Sequence, residues 1–284
     1  MSFSKGARVA VLGLGIIGSR ACANLAAAGW QLACWNRTPK QLPGERSVPE
    51  DAIEGAEIVS IYLKDGPAVR EVVARIAEFL KPGQVVLNHA TVDLETTLWL
   101  EKLCVARACE FLDAPFTGSK LAAEAGQLIY YIGGDAALAE RLKGYLDATS
   151  KAQLFCGGVG AATVVKLATN LVSACSVQAL AEGLAIATHH GVSADCFMAA
   201  VSQNASSSVL SGMKLPSMVA GNFDPHFSLS NMHKDSCYML ALARSAELDT
   251  PAIAAVSQRM ADLSAAGLGD LDYSVLAQPY LKPA

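Results

Sequence analysis

The sequence predicts an α/β half followed by an all-helical half, and three observations carry that expectation. Short β-rich runs alternate with helical stretches from Arg8 to about Cys156, the strand signals stop after Gly160, and the remainder reads as consecutive alanine- and leucine-rich helices. Alternation of the first kind argues for a mostly parallel sheet covered by helices. The boundary is expected at 158/159, with a long helix starting near Val159 joining the halves directly, because no repeat, low-complexity tract or flexible linker intervenes.

In chain order the expected strands are Val9 to Leu12, Leu32 to Trp35, Ile58 to Leu63, Val85 to Asn88, Phe111 to Ala114 and Ile129 to Ile132. Pro82-Gly83 and Gly133-Gly134-Asp135 punctuate the intervals as turns. The helices of the second half break at Gly191-Val192-Ser193, at Gly221 to Pro225 and at Gly267 to Asp270.

Composition excludes several classes. With 284 residues, 52% hydrophobic and 17% charged, the chain is globular and long enough for one large domain or two ordinary ones. A net charge of -4 and no dense Lys/Arg run argue against nucleic acid as a partner. The eight cysteines form no Cys-x-x-Cys pair and no metal-ligand spacing with histidine, so neither disulfides nor zinc are expected. Lys5 and Arg8 before the apolar run Val9 to Ile17 imitate a secretory leader, but glycines 13, 15 and 18 are better read as a strand and turn. Leu167 to Ala187 contains Glu182, and no membrane association is expected; the location expected is cytoplasmic.

The motifs supply the chemistry. Gly13-Leu14-Gly15-Ile16-Ile17-Gly18 follows a strand and opens a helix, where glycines let the backbone approach a pyrophosphate and the helix N-terminus favours its charge. The second strand ends in Asn36-Arg37-Thr38, where a site preferring NAD carries a carboxylate; an arginine there favours the 2′-phosphate of NADPH. Thr91, after the fourth strand, faces nicotinamide or substrate, and Leu63 and Lys64, at the end of the third run, join the cofactor set. Thr117, Gly118 and Ser119, within Asp113 to Lys120, are expected to present backbone N–H groups to a substrate carboxylate. Lys166 and Asn170 lie one helical turn apart in apolar sequence (Val164, Val165, Leu167, Ala168), so a desolvated lysine becomes a candidate catalytic acid. Lys234-Asp235 offers a second lysine for a carboxylate or the cofactor, against the simpler reading of an exposed pair. His89 is read as structural.

Four of these segments, in this order and spacing, resemble those of the β-hydroxyacid dehydrogenases, the family that includes 3-hydroxyisobutyrate dehydrogenase and tartronate semialdehyde reductase: Gly13 to Gly18, Asp113 to Ser119, Gly160 to Asn170, and Lys234-Asp235. Trp35 to Thr38, Gly118-Ser119-Lys120 and Gly269 to Ser274 are most similar to the NADPH-dependent glyoxylate and succinic semialdehyde reductases. The resemblance implies a Rossmann domain followed by a helical domain, assembled as a homodimer or homotetramer; a mean hydropathy of +0.32 is compatible with apolar surface buried in a partner. It implies reduction of a small aldehyde acid or 2-oxoacid by NADPH, with Lys166 and Asn170 catalytic, Lys234 on the cofactor, and Thr91, Thr117, Gly118, Ser119, Phe227 and Asp235 with Lys166 and Asn170 around the substrate. A lysine ammonium beside the carbonyl both polarises it and protonates the developing alkoxide.

The chain departs from the family pattern at Phe116-Thr117, which narrows the pocket or repacks its wall, and at Ala90, Ala162 and Thr169. The alternatives are a 3-hydroxyisobutyrate- or tartronate semialdehyde-type enzyme, a reductase of another carbonyl or imine, and a non-catalytic NADPH-binding protein. Lys166 argues against the imine reductases, which generally lack that lysine.

Overall fold

The computed structural model describes Phe3 and residues 6–281; Lys5, part of the leader-like pattern, lies outside the described residues. The chain divides into two compact units, Met1–Lys166 and Leu167–Ala284. The division falls inside a helix, between Lys166 and Leu167, whereas the sequence places it at 158/159.

The first unit runs β1 (Arg8–Leu12), α1 (Gly18–Ala27), β2 (Gln31–Trp35), α2 (Pro49–Ile53), β3 (Ile58–Ile61), α3 (Gly66–Ile76), β4 (Val85–Asn88), α4 (Leu94–Ala106), β5 (Glu110–Asp113), β6 (Phe116–Thr117), α5 (Lys120–Glu124), β7 (Leu128–Gly134), α6 (Ala136–Arg141), α7 (Lys143–Thr149) and β8 (Ser150–Gly157). The strands lie in the order β2-β1-β3-β4-β5-β7-β6, with β8 on β7. Pairs from β2 through β5 are parallel, whereas β7 runs antiparallel to β5 and β6.

Alternation along β1 builds both faces. Val9 and Val11 join Leu25, Leu128 and Leu146 on one side; Ala10 and Leu12 join Ile53, Val69, Val73 and Leu100 on the other. With helices packed on both faces, a central strand must be apolar throughout, which is why the sheet strands read as continuous runs.

Two strands were not expected. β6 is two residues long, and β8 is an edge strand whose Lys151, Ala152, Leu154 and Phe155 are exposed, so neither carries a core pattern. The third strand stops at Ile61 rather than Leu63.

The second unit contains most of α8 (Ala161–His189), then α9 (Ala194–Gln203), α10 (Val209–Ala220), α11 (Leu229–Ser245), α12 (Pro251–Leu263) and a final 3-10 segment, Tyr273–Tyr280. Its core joins Leu167, Ala174, Val177 and Ala181 of α8 to Met218, Leu229, Met239, Ile253, Met260 and Leu276. At 29 residues, α8 is long and apolar enough to cross a membrane by length and composition; Leu167, Ala174, Val177 and Ala181 lie in this core, whereas Val172 and Ile186 are exposed. The sequence reading missed the break between α9 and α10. Its signal is the serine run 206–208, where Ser208 and Ser211 form a reciprocal capping box.

A buried polar chain crosses the first unit. His89 is fully buried; its Nδ1–H donates to the Ala114 carbonyl at 2.7 Å, and its Nε2 accepts from the Tyr145 hydroxyl at 3.2 Å. Ser60 Oγ lies 2.6 Å from that hydroxyl. The structural reading of His89 therefore holds: it ties β4 to the segment after β5. Burial pushes its pKa down to about 4 from 6.5.

Asp113 is the opposite case, with burial pushing its carboxyl up to about 6 from 3.8. Between pH 6.5 and 4 the unfolded chain takes up a proton at His89 that the native protein refuses, which lowers stability by about 3 kcal/mol on acidification. Between pH 6 and 3.8 the native protein takes up a proton at Asp113 that the unfolded chain refuses, which raises stability by about the same amount. The two offset. An Asp113→Asn variant is expected to lose about 3 kcal/mol between pH 6.5 and 4 beyond any loss in the parent; urea unfolding at those pH values checks this, and parallel curves would refute it.

Candidate active site

The strand order reverses between β1 and β3, so the crevice at their carboxyl ends is where an open α/β sheet takes a ligand. The glycine segment sits there. Gly13 has φ +103°, and a Cβ on it would overlap the Tyr62 carbonyl oxygen; a Cβ on Gly18 would overlap the Gly13 carbonyl oxygen. Gly15, by contrast, has nothing within 4 Å on its Cβ side. The first and third glycines thus close the turn against β3 and α1, and the middle one leaves open space above the backbone. Helix α1 begins without a side-chain cap, leaving its N-terminal dipole available to a pyrophosphate. This cradle fits a dinucleotide.

Asn36 fixes the neighbouring loop: its Oδ1 accepts from the Leu14 N–H at 2.9 Å and its Nδ2 donates to the Thr38 carbonyl at 2.6 Å. Arg37 and Thr38 are exposed beside it, and Arg37 pairs with Glu71 of α3 at 2.7 Å. Ile16 is exposed, Ile17 half-buried and Leu14 buried. On the β3 side, Leu63 comes within 3.2 Å of where a Gly13 Cβ would stand, and Lys64 is exposed. Thr91 is half-buried after β4, its approach set by Asn88, whose side chain bonds both the N–H and the carbonyl of Ala90.

The segment after β5 forms a short strand, β6, on β7. Phe116 and Thr117 pair with Tyr130 and Ile129 of β7. Gly118 is favoured by its φ of +137°, a conformation that side chains strain, and a Cβ there would also press on the Leu128 side chain. The Ser119 hydroxyl accepts from the Ala122 N–H and caps α5. Phe116 packs edge-on to Tyr130 at 6.5 Å and tilted against Tyr62 at 6.3 Å between ring centroids.

Asp113 turns inward instead of facing a ligand. Its carboxylate accepts from Thr163 N at 2.8 Å and Thr163 Oγ1 at 2.9 Å, which pins the first turn of α8 to β5. Lys166 lies one turn on. The apolar burial expected around it is only partial: Lys166 is half-buried, and Val164 and Ala168 are exposed.

In the helical unit, three residues nominated by sequence come together. Asn170 Nδ2 donates to Asp235 Oδ2 at 2.8 Å, and Lys234 Nζ lies 3.0 Å from Asp235 Oδ1. Asp235 is fully buried and Lys234 mostly so, which overturns the exposed-pair reading. Phe227 packs edge-on to Tyr273 at 6.2 Å.

Sequence reading missed the group that holds Phe227. Lys214 and Asp272 form a buried ion pair at 2.6 Å, and the other Asp272 oxygen accepts from the His226 and Phe227 N–H groups. The available signal was Lys214 on the same face of α10 as Leu210 and Met218, a charge at a core position. No cluster of three metal-ligating His, Cys, Asp or Glu side chains occurs among the described residues.

A dinucleotide cradle on a doubly wound sheet, followed by a helical unit carrying buried lysine and amide side chains, defines the class: an NAD(P)-dependent oxidoreductase of the hydroxyacid dehydrogenase type. The family model for the NAD-binding domain of 6-phosphogluconate dehydrogenase matches residues 8–160, and that for the NAD-binding region of NADP-dependent 3-hydroxyisobutyrate dehydrogenase matches 160–280. Glyoxylate/succinic semialdehyde reductase 1 of Arabidopsis thaliana is 31% identical over 280 residues, covering 95% of this chain and 97% of the relative. The chloroplastic reductase 2 of that plant is 30% identical, covering 95% and 78%. The 3-hydroxyisobutyrate dehydrogenase of Mycobacterium tuberculosis superposes with a TM-score of 0.90 at 23% identity, covering 98% and 100%. The chain belongs to the β-hydroxyacid dehydrogenase family, of the 3-hydroxyisobutyrate dehydrogenase-like kind.

The glycine geometry gives a direct test. Gly18→Ala is expected to cost about 1–3 kcal/mol of stability through overpacking, whereas Gly15→Ala leaves the unfolding midpoint unchanged. Equal midpoints for the two variants in urea would contradict the roles assigned to these glycines.

Proposed function

We propose that this protein is an NADPH-dependent reductase of a small aldehyde acid or 2-oxoacid, glyoxylate and succinic semialdehyde among them, forming the hydroxy acid. The observation that carries the reading is the buried Asn170–Asp235–Lys234 contact, because it holds an amide and a lysine in place, the groups a carboxylate-bearing carbonyl substrate requires. The names of the plant relatives support the substrate class, and Arg37 at the end of β2 supports the phosphorylated cofactor.

The cofactor supplies hydride when bound, held by Gly13 to Gly18, Asn36, Arg37 and Thr38, with Leu63, Lys64, Thr91 and Lys234 contributing. Lys166 polarises the substrate carbonyl and delivers the proton from Nζ to the developing alkoxide. Asn170, its nitrogen committed to Asp235, presents its carbonyl oxygen as an acceptor for an ammonium or hydroxyl hydrogen. Thr117, Gly118 and Ser119 hold the substrate carboxylate, with Phe227 as an apolar wall. Apolar side chains left exposed on α8, Val172 and Ile186, suit assembly with further copies of the chain as a homodimer or homotetramer.

The test is NADPH oxidation across glyoxylate, succinic semialdehyde, tartronate semialdehyde and methylmalonate semialdehyde, with NADH in parallel. Turnover of one aldehyde acid with NADPH is expected; silence across the panel with NADPH still bound would refute the reading. Lys166→Ala should retain NADPH binding and lose kcat by about 10²-fold or more, and unchanged turnover would remove its role as acid. Arg37→Ala should weaken NADPH far more than NADH, and equal losses would remove the 2′-phosphate contact.

A further inference from the structure

Arg37 does not wait alone at the end of β2. Its Nη2 lies 2.7 Å from Glu71 Oε2, with 66% of the arginine and 59% of the glutamate side chain exposed. Glu71 stands on the outer face of α3, whose other face is anchored by Val69, Val72, Val73 and Ile76, and whose start is capped by Asp65 accepting from the Ala68 N–H at 2.9 Å. The carboxylate is therefore carried on a rigid element. The Arg37 loop is equally held, through Asn36 bonded to Leu14 and Thr38.

A 2′-phosphate and a carboxylate are competing acceptors for one guanidinium fork. An exposed ion pair is weak enough to be exchanged, with coupling of about 0.2–1 kcal/mol, or up to about fivefold in an equilibrium constant. When the phosphate arrives, Glu71 loses its partner and faces a second anion. When the ribose carries only hydroxyls, neither penalty arises, and a carboxylate can accept from a hydroxyl hydrogen.

We propose that Glu71 is a specificity-determining residue for the dinucleotide, competing with the 2′-phosphate for Arg37 and thereby reducing the margin by which NADPH is preferred over NADH. This rests on the reading that Arg37 meets the 2′-phosphate. The native pair is a restraint on cofactor preference, and removing the acidic partner sharpens that preference.

The experiment measures the Kd of NADPH and NADH by nicotinamide fluorescence for the full chain and for Glu71→Gln, Arg37→Ala and the double variant, at low and high salt. Glu71→Gln is expected to tighten NADPH about two- to fivefold and change NADH less, with a smaller gain at high salt. In the Arg37→Ala background the gain should shrink. The exposed site makes misfolding improbable, and matching urea midpoints verify it. An unchanged NADPH/NADH ratio in Glu71→Gln, or weaker NADPH binding, overturns the proposal while a selective NADPH loss in Arg37→Ala leaves the underlying reading standing. Equal losses of both cofactors in Arg37→Ala overturn both.

Discussion

The bond that Thr163 donates to the Asp113 carboxylate is the constraint on which the placement of the start of α8 turns. A carboxylate buried this completely is costly, and burial raises its pKa, yet two donors from the first turn of α8 converge on it. The chain entering that turn also approaches β7 closely: a Cβ on Gly133 would stand 2.9 Å from the Gly158 carbonyl oxygen and 3.1 Å from the Ala162 nitrogen. Register along the helix then fixes where Lys166 emerges, one turn beyond the anchor. A polar bond is directional where apolar packing is not, so it can specify an angular position that hydrophobic contact alone leaves loose.

The helical unit uses the same device twice. Asp235 gathers Asn170 and Lys234, and Asp272 gathers Lys214 with the backbone that carries Phe227. Each is a buried carboxylate with several donors, the arrangement in which removing one partner leaves an uncompensated charge. Burial raises the Asp272 pKa, but the Lys214 ammonium and the Ser274 N–H and hydroxyl outweigh it and hold the carboxyl below its ordinary range. These groups contribute little net stability over an apolar core, but they orient side chains that surface loops would leave mobile.

How much of the candidate site is legible in sequence depends on what kind of signal each residue carries. Gly13, Gly15 and Gly18 are legible because a backbone constraint is written locally, in residues a few positions apart. Lys166 and Asn170 are legible because one helical turn is a fixed spacing. Asp113 is legible as a residue of interest but not in its role, since the donor that claims it, Thr163, is 50 positions away. The Ser119 hydroxyl, by contrast, is spent on a local cap of α5, a role distinct from the backbone N–H expected of it. Lys214 and Asp272 were passed over because their meaning lies entirely in each other, across 58 positions.

The sequence by itself determined the fold class, the order of the two units and the family, because apolar periodicity and short glycine and lysine motifs are local properties that survive without coordinates. Tertiary structure alone decided that Asp113 anchors a helix, that Lys234 and Asp235 are buried, that Phe116 packs on Tyr130, and that Arg37 is paired to Glu71. Each of those outcomes is set by which distant side chains meet in a low-dielectric or crowded place, and distance in space is not written in distance along the chain.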